Sequence, residues 1–497
     1  MVLVLPVPTL PALLCHQAEQ RGAAAAMRHK RRGIWQGWTW VEMREEVERV
    51  AGALARHGVE AGHRVAVVGS PRPQMAITLV ALHALGAVPV LPAGDEPRQP
   101  HAMLHGVRLA IAADPGSADG IQALAGGTLT IVVVDAGGPE RGLLEYDALL
   151  DEAGSARHAL SSIAIDPALP AFIFGTADGS VRVLSHSDVA EQTQAAASAL
   201  GVGPQDRLLQ VAPFGREPAL LLGPVLSLLC GSTLFFPESD ETLPQDLREV
   251  APTLLVAPSL LLRQLRRTAF VRASASRTRW RRFLEQTLDL HGGHPPPRSR
   301  VARLLGDIAV RRPVSDRIGL RHVRVAVTFG GAVSAALASF CDAVGVKLRP
   351  ADTLIGIAPE DATDVLESEL RGSLFIRDTV VARARDGARV ALLFLDTEAV
   401  AAWAQTAGLT VAGTDTLVDM PAVQELVANE VGRVNERMPE AQRLGRFRVA
   451  KGRFTRASGE MTVDGRLRPE LAVTRYAADL VALGAAPQLP QHAEAAA

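Results

Sequence analysis

Apolar positions along this chain alternate between two spacings. Met43, Val47, Val50, Ala51 and Leu54 recur at helical spacing, and Arg64 to Val68 follows as the short apolar run of a buried strand. Met75 to Leu85 reads as a second helix and Val88 to Leu91 as a second strand. The same rhythm predicts a strand over Phe172–Phe174, a helix from Asp188 and a strand over Leu208–Val211. A helix through Leu220–Leu229, a strand over Thr233–Phe236 and a helix over Gln245–Val250 come next. Strand Leu254–Val256, helix Leu260–Leu265, strand Val323–Phe329 and helix Ser334–Ala343 complete the series. Such alternation predicts an α/β fold: a large N-terminal domain of mostly parallel sheets covered by helices.

The pattern breaks over 272–300. Arg277, Arg279, Arg281 and Arg282 surround Trp280, Phe283 and Leu284, ahead of a Gly/His/Pro-rich stretch. Segment 277–290 is read as a short basic amphipathic helix, and peripheral membrane contact would be made there if anywhere. The plainer reading, a solvated surface helix, is preferred. His291 and His294 have no carboxylate or Cys nearby and make a poor metal pair. Beyond residue 360 the character changes. Val380–Ala382 and Val390–Leu395 read as strands joined through the Asp386-Gly387 turn. Helices are predicted near Thr397–Ala407, over Pro421–Arg437 and near Glu470–Leu483, with a strand over Arg446–Ala450. The organisation predicted is a large domain over 1–360, a smaller C-terminal α/β domain over 361–484, and an Ala/Pro/Gln-rich disordered tail over 485–497.

Composition narrows the functional classes. A net charge of -1 offers no bulk attraction for nucleic acid or an anionic membrane. Basic charge is carried almost wholly by arginine: the lysines are Lys30, Lys347 and Lys451, which limits the candidates for a catalytic lysine. Cys15, Cys230 and Cys341 are far apart, which suits a reducing, cytoplasmic setting and gives no zinc spacing. The opening Met1-Val2-Leu3-Val4-Leu5-Pro6 lacks the basic start of a signal peptide, and no apolar run reaches membrane-spanning length.

The stretch of greatest chemical interest runs from Phe172 to His186. An apolar strand leads into Gly175-Thr176-Ala177-Asp178-Gly179, a turn of the type that presents backbone N–H groups to phosphate. The chain leaves through Arg182-Val183-Leu184-Ser185-His186. Other segments are equally distinctive: Trp38-Thr39-Trp40, Leu82-His83-Ala84-Leu85-Gly86-Ala87-Val88-Pro89-Val90, Glu241-Thr242-Leu243 with Asp246 to Thr253, Val325–Ser334, Ala388–Trp403 and Phe447–Leu467. In order and wording they resemble the adenylate-forming (AMP-binding) acyl-CoA synthetase superfamily, and within it the bacterial long-chain fatty acid–CoA ligases, in a shortened form. The resemblance covers most of the chain. It implies a large domain that binds ATP and a fatty acid, and a small domain that swings to complete adenylation and then thioester formation with CoA.

The same resemblance fixes where each step would be performed, and there the chain departs from the pattern. The family phosphate loop carries several hydroxyls and a lysine. Here the matching positions are Gly175, Thr176, Gly179, Arg182 and His186, the loop is shorter, and Arg182 is its only cation. The family motif that stacks adenine and holds Mg²⁺ ends in Thr-Glu after an aromatic. Here it reads Asp352-Thr353-Leu354-Ile355-Gly356, so Asp352 replaces the ring and Gly356 the glutamate; Gly330 and Gly331 are the other remnant of the nucleotide site. The ribose-gripping Thr-Gly-Asp and the hinge are absent from the short stretch 357–379. Arg466 stands where the adenylation lysine belongs, and its planar fork is a poor substitute for a compact ammonium.

These losses predict a pseudoenzyme with no bound cofactor (ATP, Mg²⁺ and CoA in the family) and no metal. It would act on a long-chain fatty acid or acyl-CoA as a binding protein, or as a protein partner or homo-oligomer in a regulatory role. Leu220–Leu229 and Leu254–Leu262 would line an acyl tunnel or be ordinary core, and core is preferred. Two alternatives stay open. Arg182, Arg466, His186 and Glu217 could organise residual ligase or acyl-AMP-handling chemistry, or the folded shell could serve purely as a structural assembly component.

Overall fold

The computed structural model describes residues 9–92, 103–125, 127–136, 144–160, 165–175, 180–275, 285, 287–288, 310–356, 365–409, 413–452, 454, 460–461 and 467–484. The basic segment around 277–284, the tail 485–497, Thr176, Gly179 and Arg466 lie outside them. The chain divides into two compact units. One comprises Met1–Ala257, His322–Phe329 and Arg349–Glu360; the other comprises Pro258–Arg321, Gly330–Leu348 and Asp361–Ala497.

The chain forms two seven-stranded sheets, drawn mainly from the first unit. One runs in the order Leu144–Glu145, Thr130–Val133, Val107–Ala112, Arg64–Val68, Val88–Leu91, Pro170–Gly175 and Val181–Ser185. All its pairings are parallel except the last, an antiparallel pair that sets Phe174 opposite Arg182. The other runs Lys347–Pro350, Val325–Phe329, Leu254–Pro258, Arg207–Gln210, Thr233–Phe236, Ala25–Arg31 and Ile34–Thr39. Val65 to Val68 are all buried, as a parallel strand covered on both faces requires.

The helix Trp40–Arg56 opens with a capping box, in which Thr39 and Glu42 satisfy each other's backbone N–H groups. It buries Met43, Val47, Val50 and Leu54, the stripe that the periodicity predicts. Gly52 lets this helix touch the chain that follows helix Tyr146–Ala153: a Cβ there would lie 2.5 Å from the carbonyl oxygen of Ala156.

Three sequence expectations are corrected. The helix expected through Leu220–Leu229 is α-helical over Glu217–Leu220 and Leu226–Cys230, but Leu221–Val225 between them is a π turn. Pro224 has no N–H to give and its ring crowds the preceding turn, so the helix widens there. The strand expected at Phe172–Phe174 does not pass through a simple turn into a helix. It forms a β-hairpin with Val181–Ser185, and the helix starts at His186 with Ser185 and Asp188 as its capping box. Ser185 thus ends a strand and caps a helix at once.

The second unit holds a three-stranded sheet, Ile376–Arg383, Arg389–Leu395 and Leu444–Ala450, the first pair antiparallel and the second parallel. The helix Pro421–Arg437 matches its expected bounds. The third correction falls near the end. The single helix expected over Glu470–Leu483 is two, Pro469–Arg475 and Ala477–Ala482. They part at Tyr476, whose ring is turned against Phe394 and Phe454 at centroid distances of 5.1 and 5.7 Å. The half-buried ring packs against the cluster that covers this sheet.

Leu220 to Leu228 are buried in the central core of the first unit. The apolar cavity that Leu220, Pro224, Leu228 and Trp40 help to line is about 10 Å³, no more than a single water requires. An acyl chain does not fit in it. Among the described residues, no helix is long and apolar enough to cross a membrane.

Candidate functional site

The hairpin Pro170–Ser185 and the start of its helix carry three of the site residues singled out by sequence, Gly175, Arg182 and His186. Phe172 and Phe174 are buried with ring centroids 6.1 Å apart, and Gly175 ends the strand opposite Val181. Arg182 sits on the returning strand. Its Nε lies 2.8 Å from Oε2 of Glu217, the first residue of the short helix Glu217–Leu220. The contact is an ion pair rather than an aligned hydrogen bond, because Arg182 Nε finds no hydrogen-bond acceptor in good geometry. Glu217 is only 5% exposed, so the one cation of the hairpin is engaged by a buried carboxylate.

His186 is turned inward. Its ring stands edge-on to that of His83, centroids 4.7 Å apart, and both side chains are buried. His83 Nε2 lies 2.8 Å from the carbonyl oxygen of Ala171 and must carry the proton, because a carbonyl only accepts. Burial pushes His186 down to about 4. Burial, with His186 as a secondary cause, pushes His83 down to about 3. Both rings are therefore neutral at pH 7 and tie helix Pro73–Ala84 to the hairpin. His83 was not singled out by sequence; the only signal was a histidine inside an otherwise apolar helix.

Asp352 opens the four-residue helix Asp352–Ile355, and Gly356 caps that helix in the left-handed region with φ of 65°. The position of the family's metal-binding glutamate is thus a backbone position that suits glycine. Among the described residues, no group of three His, Cys, Asp or Glu side chains is arranged to hold a metal ion. Gly356 itself supplies no carboxylate at the position where the resemblance places the metal-binding glutamate. Gly356→Glu is expected to lower stability by about 1 kcal/mol through backbone strain alone, since a Cβ there meets nothing within 4 Å. Urea denaturation checks it; an unchanged midpoint would contradict the strain.

Gly330 and Gly331 belong to the second unit and follow strand Val325–Phe329, with φ of 77° and 118°. Ser334 then caps helix Ala335–Ala343 by accepting from the Leu337 N–H.

The AMP-binding enzyme family matches residues 14–176 of this chain. Among curated proteins no sequence matches it. The adenylation domain of a carboxylic acid reductase from Segniliparus rugosus, solved with AMP and a co-purified carboxylic acid, superposes with a TM-score of 0.73. It shares 14% identity, over 97% of this chain and 94% of that one. The adenylation domain of a carboxylate reductase from Mycobacterium chelonae gives a TM-score of 0.69 at 15% identity, over 97% and 92% of the two chains. The fold is that of an adenylation domain. The resemblance to the adenylate-forming superfamily read from the sequence therefore holds for the architecture and for the AMP-binding match.

Proposed function

We propose that this chain is a non-adenylating homologue of the long-chain acyl-CoA synthetases, a pseudoenzyme that keeps the fold without its ATP chemistry. The observation that carries the reading is the Arg182–Glu217 pair. A phosphate loop works by offering uncommitted positive charge and N–H groups to the anion. In this hairpin the single cation is already paired with a carboxylate that is itself buried. An incoming triphosphate would have to compete with Glu217 for that guanidinium. The glycine in place of the metal glutamate and the arginine at 466 support the same reading.

The surviving role is binding of an acyl ligand, a long-chain fatty acid or its CoA ester, or pairing with an active ligase. Calorimetric titration with Mg²⁺–ATP, with and without a long-chain fatty acid, tests the proposal. No heat at millimolar nucleotide is expected. Clear binding followed by pyrophosphate release would overturn it and restore the ligase reading. Saturable binding of a fatty acid without nucleotide would favour the ligand role over the partner role.

A further inference from the structure

A cleft in the second unit gathers two arginines and three serines around the Gly330-Gly331 loop. Ser259 and Arg263 come from helix Ser259–Ser274, Ser334 from the cap of helix Ala335–Ala343, and Ser368 and Arg371 from helix Val365–Arg371. The arginines around it differ in their partners. Arg371 donates to the Thr379 carbonyl oxygen at 3.1 Å and pairs with Glu367 at 3.3 Å. Arg267 donates to the Ser373 and Ile376 carbonyl oxygens and lies 3.6 Å from Asp396. Glu369, on the same helix as Arg371, accepts from the Ala335 N–H at 2.8 Å and faces Arg437 at 3.6 Å. Arg263 has nothing comparable. Its Nε is buried without an acceptor, and among the described residues no carboxylate stands within ion-pair distance of it. Burial, then the like charges of Arg371 and Arg267, push it down to about 9, against only a partial opposing pull from Asp378.

A half-buried guanidinium offers five donors and accepts nothing, and leaving it unmatched beside like charges is costly. The cleft that it lines is shared with three serines and with Gly330 and Gly331, both at positive φ. We propose that this cleft binds a small oxyanion, a carboxylate or phosphate group, with Arg263 as its counter-charge and the Ser368 hydroxyl as a neighbouring donor, while the Ser259 hydroxyl is given to the Gly330 carbonyl oxygen. Its volume of about 20 Å³ exceeds what a single water needs. The site stands on Arg263 and its surroundings, whether or not the chain binds ATP.

The test is thermal unfolding of the full chain at constant ionic strength, titrated separately with inorganic phosphate, acetate and octanoate, without nucleotide. The wild-type midpoint is expected to rise saturably with phosphate, or with the two carboxylates, and the responding arm names the source. Arg263→Met should abolish the response, while its own midpoint without anion is at least that of the wild type, because an unmatched charge has been removed. Ser368→Ala is the milder companion: it should fold normally and weaken the response roughly tenfold. A wild type that ignores every anion, or variants that respond as the wild type does, would overturn the proposal.

Discussion

Lys30→Met is expected to destabilise the chain by about 3–5 kcal/mol. Lys30 lies in the strand Ala25–Arg31 and is 3% exposed. Its Nζ donates to Asp246 at 2.9 Å and to Glu249 at 2.7 Å. Asp246 is fully buried near the start of helix Leu243–Val250 and also accepts from the Glu238 N–H and the Thr242 hydroxyl. A methionine fills the same space and removes only the charge. Asp246 is then left as an unpaired ion, the costly half of a broken pair. Urea unfolding measures the effect. Adding Asp246→Asn to the variant should recover most of the loss, since an amide oxygen still accepts from Thr242. A loss below about 1 kcal/mol, the range of an exposed pair, would show that the cage is not energetically closed. Glu249 is part of the same cage: Lys30 first, then Gln245 and Trp35, hold it down to about 2. Its contribution is present above the ordinary carboxylate range and fades as the pH falls toward about 2.

The second large effect is on pH dependence. His83 and His186 are neutral in the folded chain down to about 3 and about 4, and His29, buried and facing Arg72 and Arg31, down to about 4. In the unfolded chain each takes up a proton near pH 6.5. Below that pH the unfolded state binds more protons, so folding stability falls with pH. It is complete above about 6.5 and erodes between 6.5 and 4, by on the order of 3 kcal/mol for each of these histidines at the acid end. Urea midpoints across that window should drop steeply. His83→Gln, whose amide can still donate to the Ala171 carbonyl oxygen, should flatten the slope by one proton. An unchanged slope in this variant would show that the buried ring does not titrate as its surroundings demand.

Much of the fold was legible because its elements follow local rules. Strands Arg64–Val68, Val88–Leu91 and Thr233–Phe236 are apolar runs buried on both faces, and their bounds match the expectation. Helix Pro421–Arg437 announces its start with proline and was read to the residue. The hairpin Ala25–Thr39 was missed. Its first strand, with Arg28, His29, Lys30 and Arg31, has no apolar signature. Its turn, Arg32-Gly33, places a non-glycine at φ of 51°, a weaker signal than Asn-Gly. Asp246 and Glu249, far along the chain, receive Lys30 and so let a strand of that composition be buried.

The site divides along the same line. By itself the sequence determined the fold class and the residue types at the family's motif positions: arginine and glycine where lysine and glutamate are expected. Those are properties of single positions in order along the chain. Only the tertiary structure decided what each remaining group is doing. It set Arg182 against Glu217, turned His186 onto His83, placed Gly356 in the left-handed cap and, among the described residues, left Arg263 without a counter-ion. Charge pairing and burial depend on segments that are distant in sequence and adjacent in space, and no spacing rule encodes which of them meet.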